Sequence, residues 1–200
     1  MAIYVLQHNE RFIVDPKAPV WNHYQPFKWW LLVHGLGGAS ALVLAPMQFS
    51  ERLRRHYTGL HRVAGRIYVA GAVIAGLTGA YIQFVQEQTG GTRSFTLAGA
   101  TQGLLWMVTT LIALVLILQG KVQQHRQWMV RSLFLGPVVF VTVRVILGVT
   151  GLEKLGPSMI ETVVWVSITC AVPVADIVLQ CEEWLRSRST KFATPKTAKT

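Results

Sequence analysis

Five apolar runs, at about 29–49, 65–85, 97–119, 129–150 and 159–181, alternate with short polar connectors along the chain. A helix rises about 1.5 Å per residue and a bilayer's hydrocarbon core is about 30 Å thick, so each run is long enough to span. The pattern predicts an all-α fold, a polytopic transmembrane helix bundle of five spans. The bundle forms one domain over 29–186, after a polar segment at 1–28 and before a basic, disordered tail at 187–200. Trp29 and Trp30 open the first run, where an interfacial aromatic belt places such residues. Gly71, Ala75 and Gly79 recur every fourth residue in the second run, a small-residue face suited to close helix packing. The GLGG at 35–38 lies inside a span and reads as packing rather than as a phosphate loop.

Composition sharpens this picture. Hydrophobic residues make up 52% of the chain and charged residues 14%, with a net charge of +10. In a polar chain that charge would suggest nucleic acid. Here the basic residues sit between apolar runs, so the expected partner is the lipid bilayer and no nucleic acid. The opening MAIYVLQHNERFIVD is too polar to hold the apolar core of a cleavable signal peptide. Cys170 and Cys181 have no CxxC spacing, and no compact ligand set for a metal is present.

The same charges orient the bundle. Arg52, Arg54, Arg55, Arg62 and Arg66 fill one connector, Lys121, Arg126 and Arg131 another, and Arg186, Arg188, Lys191, Lys196 and Lys199 the tail. The other side has only Arg11, Lys17, Lys28, Arg93 and Lys154. The excess of positive charge predicts an amino terminus outside and a cytoplasmic carboxyl terminus.

Polar residues inside the runs are the candidate chemistry, because an ionised side chain in lipid is costly without a partner. His34 lies roughly 7–8 Å, and Arg144 roughly 10 Å, below the outer boundary by helical rise. With Gln83, Gln102 and Glu161 they form an expected outer layer, in which Glu161 is the expected partner of Arg144. Such a layer reads either as a structural ion pair or as a seat for a carbonyl-bearing ligand such as a quinone. An inner layer gathers Gln48, His61, Arg62, Arg66, His125, Arg126 and Arg131, together with Asp176, whose expected partner is Arg66 or Arg131. His61-Arg62 with Arg66, and His125-Arg126 with Arg131, open two spans in the same way. Two histidines at one depth on different helices suit axial ligation of a b-type haem, with arginines facing its propionates. The plainer reading is that they are polar anchors at helix ends. No GxSxG, Walker A, GxGxxG or HExxH motif stands in the chain.

The ordered motifs HGLGGASALVLAPMQF, HRVAGRIYVAG and HRQWMVRSLFL, followed by the membrane Arg144, resemble the DUF2306 family of bacterial predicted membrane proteins over roughly residues 30–150. The resemblance implies a bacterial inner-membrane location. It places His34, Gln48, His61, Arg62, Gly65, Arg66, Tyr68, His125, Arg126, Trp128, Met129, Arg131, Ser132 and Arg144 at motif positions. Ala45-Pro46 departs from the Gly-Pro more usual there. The expected function is a redox membrane protein holding b-type haem or quinone, with His61, His125 and the adjacent arginines as the cofactor set. The alternative is a small transporter or an assembly subunit of a membrane complex, in contact with another membrane protein.

Overall fold

Nothing in hydrocarbon replaces a lost backbone hydrogen bond, so apolar runs of this length fold as helices that satisfy their own amides. The computed structural model describes residues 24–193 and bears this out: every long element is a helix. We label them α1 (Lys28–Phe49), α2 (Glu51–His56), α3 (Thr58–Gln88), α4 (Arg93–Leu118), α5 (Val122–Leu133), α6 (Val139–Thr150) and α7 (Pro157–Ala193). Helices α1, α3, α4, the continuous α5–α6 rod and α7 are each long and apolar enough to cross a membrane. The five expected spans are therefore present. The polar segment before residue 24 and the end of the tail lie outside the described residues.

Three of the helices start or finish well beyond their apolar runs. Helix α3 begins at Thr58 and α5 at Val122, so His61 and His125 lie within regular helix. Helix α7 continues to Ala193, past the point where the disordered tail was expected. Its extension is supported by side chains one turn apart: Arg186 pairs with Glu182 at 3.1 Å, and Arg188 stacks over Trp184.

Helix ends follow their local chemistry. Ser50 caps the short α2 by accepting from the Leu53 amide, and Thr92 caps α4 by accepting from Phe95. Gly151 ends α6 with φ at 67°, a left-handed conformation that glycine adopts without cost. In α2 the Arg55 guanidinium, and more weakly that of Arg54, holds the Glu51 carboxyl below its ordinary pKa.

The tightest crossing joins α1 to α3. A Cβ built on Gly37 would stand 2.9 Å from the Gly71 carbonyl oxygen and 3.2 Å from the Ala75 nitrogen. A Cβ on Gly71 would stand 2.7 Å from the Gly37 carbonyl. The two backbones touch, as the small-residue spacing predicts. Gly37 of the GLGG run is thus a packing residue. Along the same line Gly79 leaves room for the His34 ring, and Gly76 meets Met107 of α4.

The fourth span is not one regular helix. Residues Phe134–Val138 form a π turn containing Pro137, between α5 and α6. Proline offers no amide hydrogen and its ring crowds the carbonyl four residues back, so the ladder widens there. Gly136 in this turn lies flat against the Trp106 indole of α4, with no space for a Cβ. Leu135, Gly136 and Pro137 are all buried, so the turn sits at the centre of the bundle.

The buried core is built of small residues such as Ala41, Ala72, Ala98, Ala113 and Ala175 around Tyr68, Trp106 and Leu135. Large apolar side chains point outward instead: Leu36, Leu77, Leu104, Val166 and Ile177 are all exposed. This inside-out distribution suits a protein whose solvent is lipid. Gly71→Leu is expected to separate α1 from α3 and cost about 1–3 kcal/mol or more. A thermal unfolding midpoint in detergent unchanged from that of the parent would contradict the packing.

Candidate functional site

Three helices meet in a buried polar cluster below the π turn. The Tyr68 hydroxyl of α3 lies 2.9 Å from the Ser132 Oγ of α5, and Thr110 Oγ1 of α4 lies 2.7 Å from the same oxygen. Trp106 Nε1 donates to the Tyr68 oxygen at 3.3 Å. Thr110 Oγ1 also donates to the Trp106 carbonyl at 2.7 Å, so in its bond with Ser132 it accepts. Ser132, Thr110 and Tyr68 are each 0% exposed. The cluster is fully bonded, which makes it a structural knot rather than an open site. Tyr68 and Ser132 end the two HR motifs, and their contact is where those motifs converge. Thr110 and Trp106 escaped sequence reasoning, and the signal for them was a Trp followed one turn later by a Thr in an apolar run.

Toward the arginine-rich end the polar groups are no longer saturated. His125 Nδ1 lies 2.7 Å from the Ala113 carbonyl oxygen. A carbonyl only accepts, so Nδ1 carries the hydrogen in this bond. His61, on α3, lies within electrostatic reach of His125. Its Nδ1 is buried and has no hydrogen-bond partner. Gln48 crosses from the end of α1 to lie against Gly65, one turn along α3 from His61, with Oε1 3.2 Å from where a Cβ would be. Its Nε2 is also buried and unpartnered. Gly65 admits the Gln48 side chain, which brings it against the α3 turn that follows His61.

The inner arginines divide into two groups. Arg131 binds Asp176 of α7, with both its Nε and an NH2 nitrogen 2.8 Å from the same carboxylate oxygen. This is one of the two pairings expected from the cost of an acid inside the membrane, and Trp128 adds its ring face 5.1 Å from the guanidinium. Arg126 pairs with Glu182, also of α7, and Gln127 donates to Glu183 at 3.2 Å. Arg62 and Arg66 are exposed on the outward side of α3, away from the histidines.

Of the outer residues, His34 and Arg144 lie within electrostatic reach of each other, and Gln102 and Glu161 have partners of their own. His34 Nδ1 donates to the Ala75 carbonyl at 2.9 Å, in the space left by Gly79. Arg144 lies over Phe140 of its own helix at 5.3 Å and acts electrostatically on His34. Glu161, at the start of α7, accepts a hydrogen bond from Thr92 of the α4 cap. Gln102 Nε2 donates to the Leu135 carbonyl in the π turn at 3.2 Å, serving a backbone disturbed by Pro137. Gln83 Oε1 is buried without a partner and borders a cavity of about 170 Å³ beside Thr92 and Thr96. Among the described residues no cluster of His, Cys, Asp and Glu is arranged to hold a metal ion.

A bundle of five spanning helices, small residues inside and large apolar ones outside, defines a polytopic α-helical membrane protein. The chain belongs to the family described as Predicted membrane protein (DUF2306), whose model matches residues 31–179. No curated protein and no solved structure matches the chain. The matched range covers Gln48, His61 and His125, the Tyr68 knot and the Arg131–Asp176 pair, and ends before Glu182, the partner of Arg126.

Asp176→Leu leaves Arg131 without its carboxylate and is expected to cost about 2 kcal/mol of stability. The double variant R131L/D176L is expected to recover much of that loss. Equal losses in the single and double variants, in a detergent unfolding series, would show that the pair does not brace α5 against α7.

Proposed function

We propose that the chain is a redox membrane protein that holds a quinone head group at Gln48, His61 and His125. The observation that carries this reading is the pair of buried, unpartnered atoms Gln48 Nε2 and His61 Nδ1. Buried polar groups left unbonded are costly and uncommon, and a ligand that bonds them recovers the loss. An amide nitrogen and an imidazole N–H are donors, and a quinone presents two carbonyl oxygens that accept. His61 also offers a group able to exchange a proton with a bound quinone, whose two-electron reduction takes up two protons. The electrons would come from a redox partner protein in the membrane.

The arginines favour a neutral ligand over an anionic one. Arg126 and Arg131 are occupied by Glu182 and Asp176, while Arg62 and Arg66 face outward. None is left to face the two propionates of a haem inside the bundle. A b-type haem is the second reading, and it is favoured by His125, whose Nδ1 is fixed on a carbonyl so that Nε2 is offered as a ligand. Bound there, haem would supply a one-electron carrier.

Extraction of lipid-soluble redox compounds from the detergent-purified protein, with absorption spectra before and after dithionite, tests both. Quinone in molar proportion, bound about 5- to 10-fold more weakly in either His61→Ala or Gln48→Leu, is expected from one hydrogen bond each. A Soret band with sharp reduced α and β bands would replace quinone with haem. A protein that carries neither and binds no added quinone would overturn the redox reading.

A further inference from the structure

The first turns of α3 carry two arginines whose position the inner site does not explain. Arg62 and Arg66 are one helical turn apart and both exposed. Arg66 sits two residues from each of Ala64 and Tyr68, which face the core, and so lies on the opposite side of the helix. That outward side continues through Ala70 to Ile74 and Leu77, with Val63 and Ile67 beside the arginines, and all of these are exposed. Two fixed cations thus head a strip of apolar surface that faces lipid. Neither is in ion-pair contact with a carboxylate among the described residues. The nearby acid of α2, Glu51, is bound by Arg54 and Arg55.

A cation at the edge of lipid needs an anion, and the bilayer supplies one in its phosphates. Side chains one turn apart have Cβ atoms about 5–6 Å from each other, close enough for two guanidinium forks to share one phosphate. With Glu51 occupied, the seat has no acid free for a choline or ethanolamine ammonium. We propose that Arg62 and Arg66 bind the phosphate of an anionic phospholipid, whose acyl chains lie along Ile67, Ala70, Ile74 and Leu77. The seat is separate from the Gln48–His61 group and does not depend on what that group holds. It fixes the height of α3 in the membrane and makes the charged end of the helix selective for anionic lipid.

The test uses the delipidated full chain in neutral detergent, titrated with phosphatidylglycerol or phosphatidylcholine and followed by native mass spectrometry. Phosphatidylglycerol is expected to bind and phosphatidylcholine to bind far more weakly. The R62Q/R66Q variant is expected to bind phosphatidylglycerol roughly 30-fold more weakly, and each single variant roughly 5-fold. Arg93→Gln, at the start of α4 on the opposite end, is expected to leave binding unchanged. Should R62Q/R66Q fail to fold, R62K/R66K keeps the charge but not the forked geometry, and is expected to bind several-fold more weakly. Equal affinity for the two lipids would overturn the proposal. So would undiminished binding in the Gln variant, or in the Lys variant where that one is used. Displacement of the lipid by millimolar inorganic phosphate would assign the seat to a free anion instead and overturn the lipid reading.

Discussion

Lipid gives two helices no hydrophobic reason to associate, because their apolar faces are as well solvated apart as together. What holds this bundle is therefore contact between backbones and bonds between polar side chains. The Tyr68–Ser132–Thr110 knot does most of this work at the centre, tying α3, α4 and α5 through hydroxyl groups that hydrocarbon cannot solvate. Around it, Gly37 and Gly71 let α1 reach α3, and Gly136 lets the π turn reach Trp106. Two ion pairs then fasten α7 to α5 at the arginine-rich end. Every span is connected to the rest by at least one of these devices.

The same logic separates structure from chemistry. Where polar atoms are paired, as in the knot and in the α5–α7 ion pairs, they brace the fold. Gln48 Nε2 and His61 Nδ1 are buried but unpaired, and they lie in one corner shared by α1 and α3 with His125 of α5 nearby. Unpaired polar atoms contribute nothing to holding helices together; Gln83 Oε1 stands alone among them, whereas these two share a corner, and the proposed quinone seat rests on that pairing. The arginines around it are turned to other tasks, toward acids on α7 or outward to the membrane.

Much of this was legible in the residues themselves. Run length and helical rise are enough to locate five spans, and the four-residue spacing of Gly71 and Ala75 marks a close crossing. The cost of Asp176 in lipid points to a nearby arginine, and Arg131 is there. Helix rotation is what a linear pattern conveys poorly. Arg62 lies beside His61 in sequence yet faces away from it in space, and Glu161 bonds Thr92 of the α4 cap, a partner that depth alone does not single out. Pro137 was visible, but an apolar run gives no sign that the chain would widen into a π turn there instead of kinking. Thr110 was hidden because a lone hydroxyl in an apolar helix usually bonds its own backbone, and this one does so while also accepting from across the bundle.

The most direct test compares Gln48→Leu and His61→Leu with the parent chain by thermal unfolding in detergent, each with and without an added short-chain quinone. Removing an unbonded buried polar group relieves its desolvation cost, so both variants should be at least as stable as the parent without ligand. With quinone the parent should gain the largest upward shift of its midpoint, Gln48→Leu a smaller one and His61→Leu the least. Variants that lose stability without ligand, beside a parent indifferent to quinone, would show that these residues brace the fold and hold nothing.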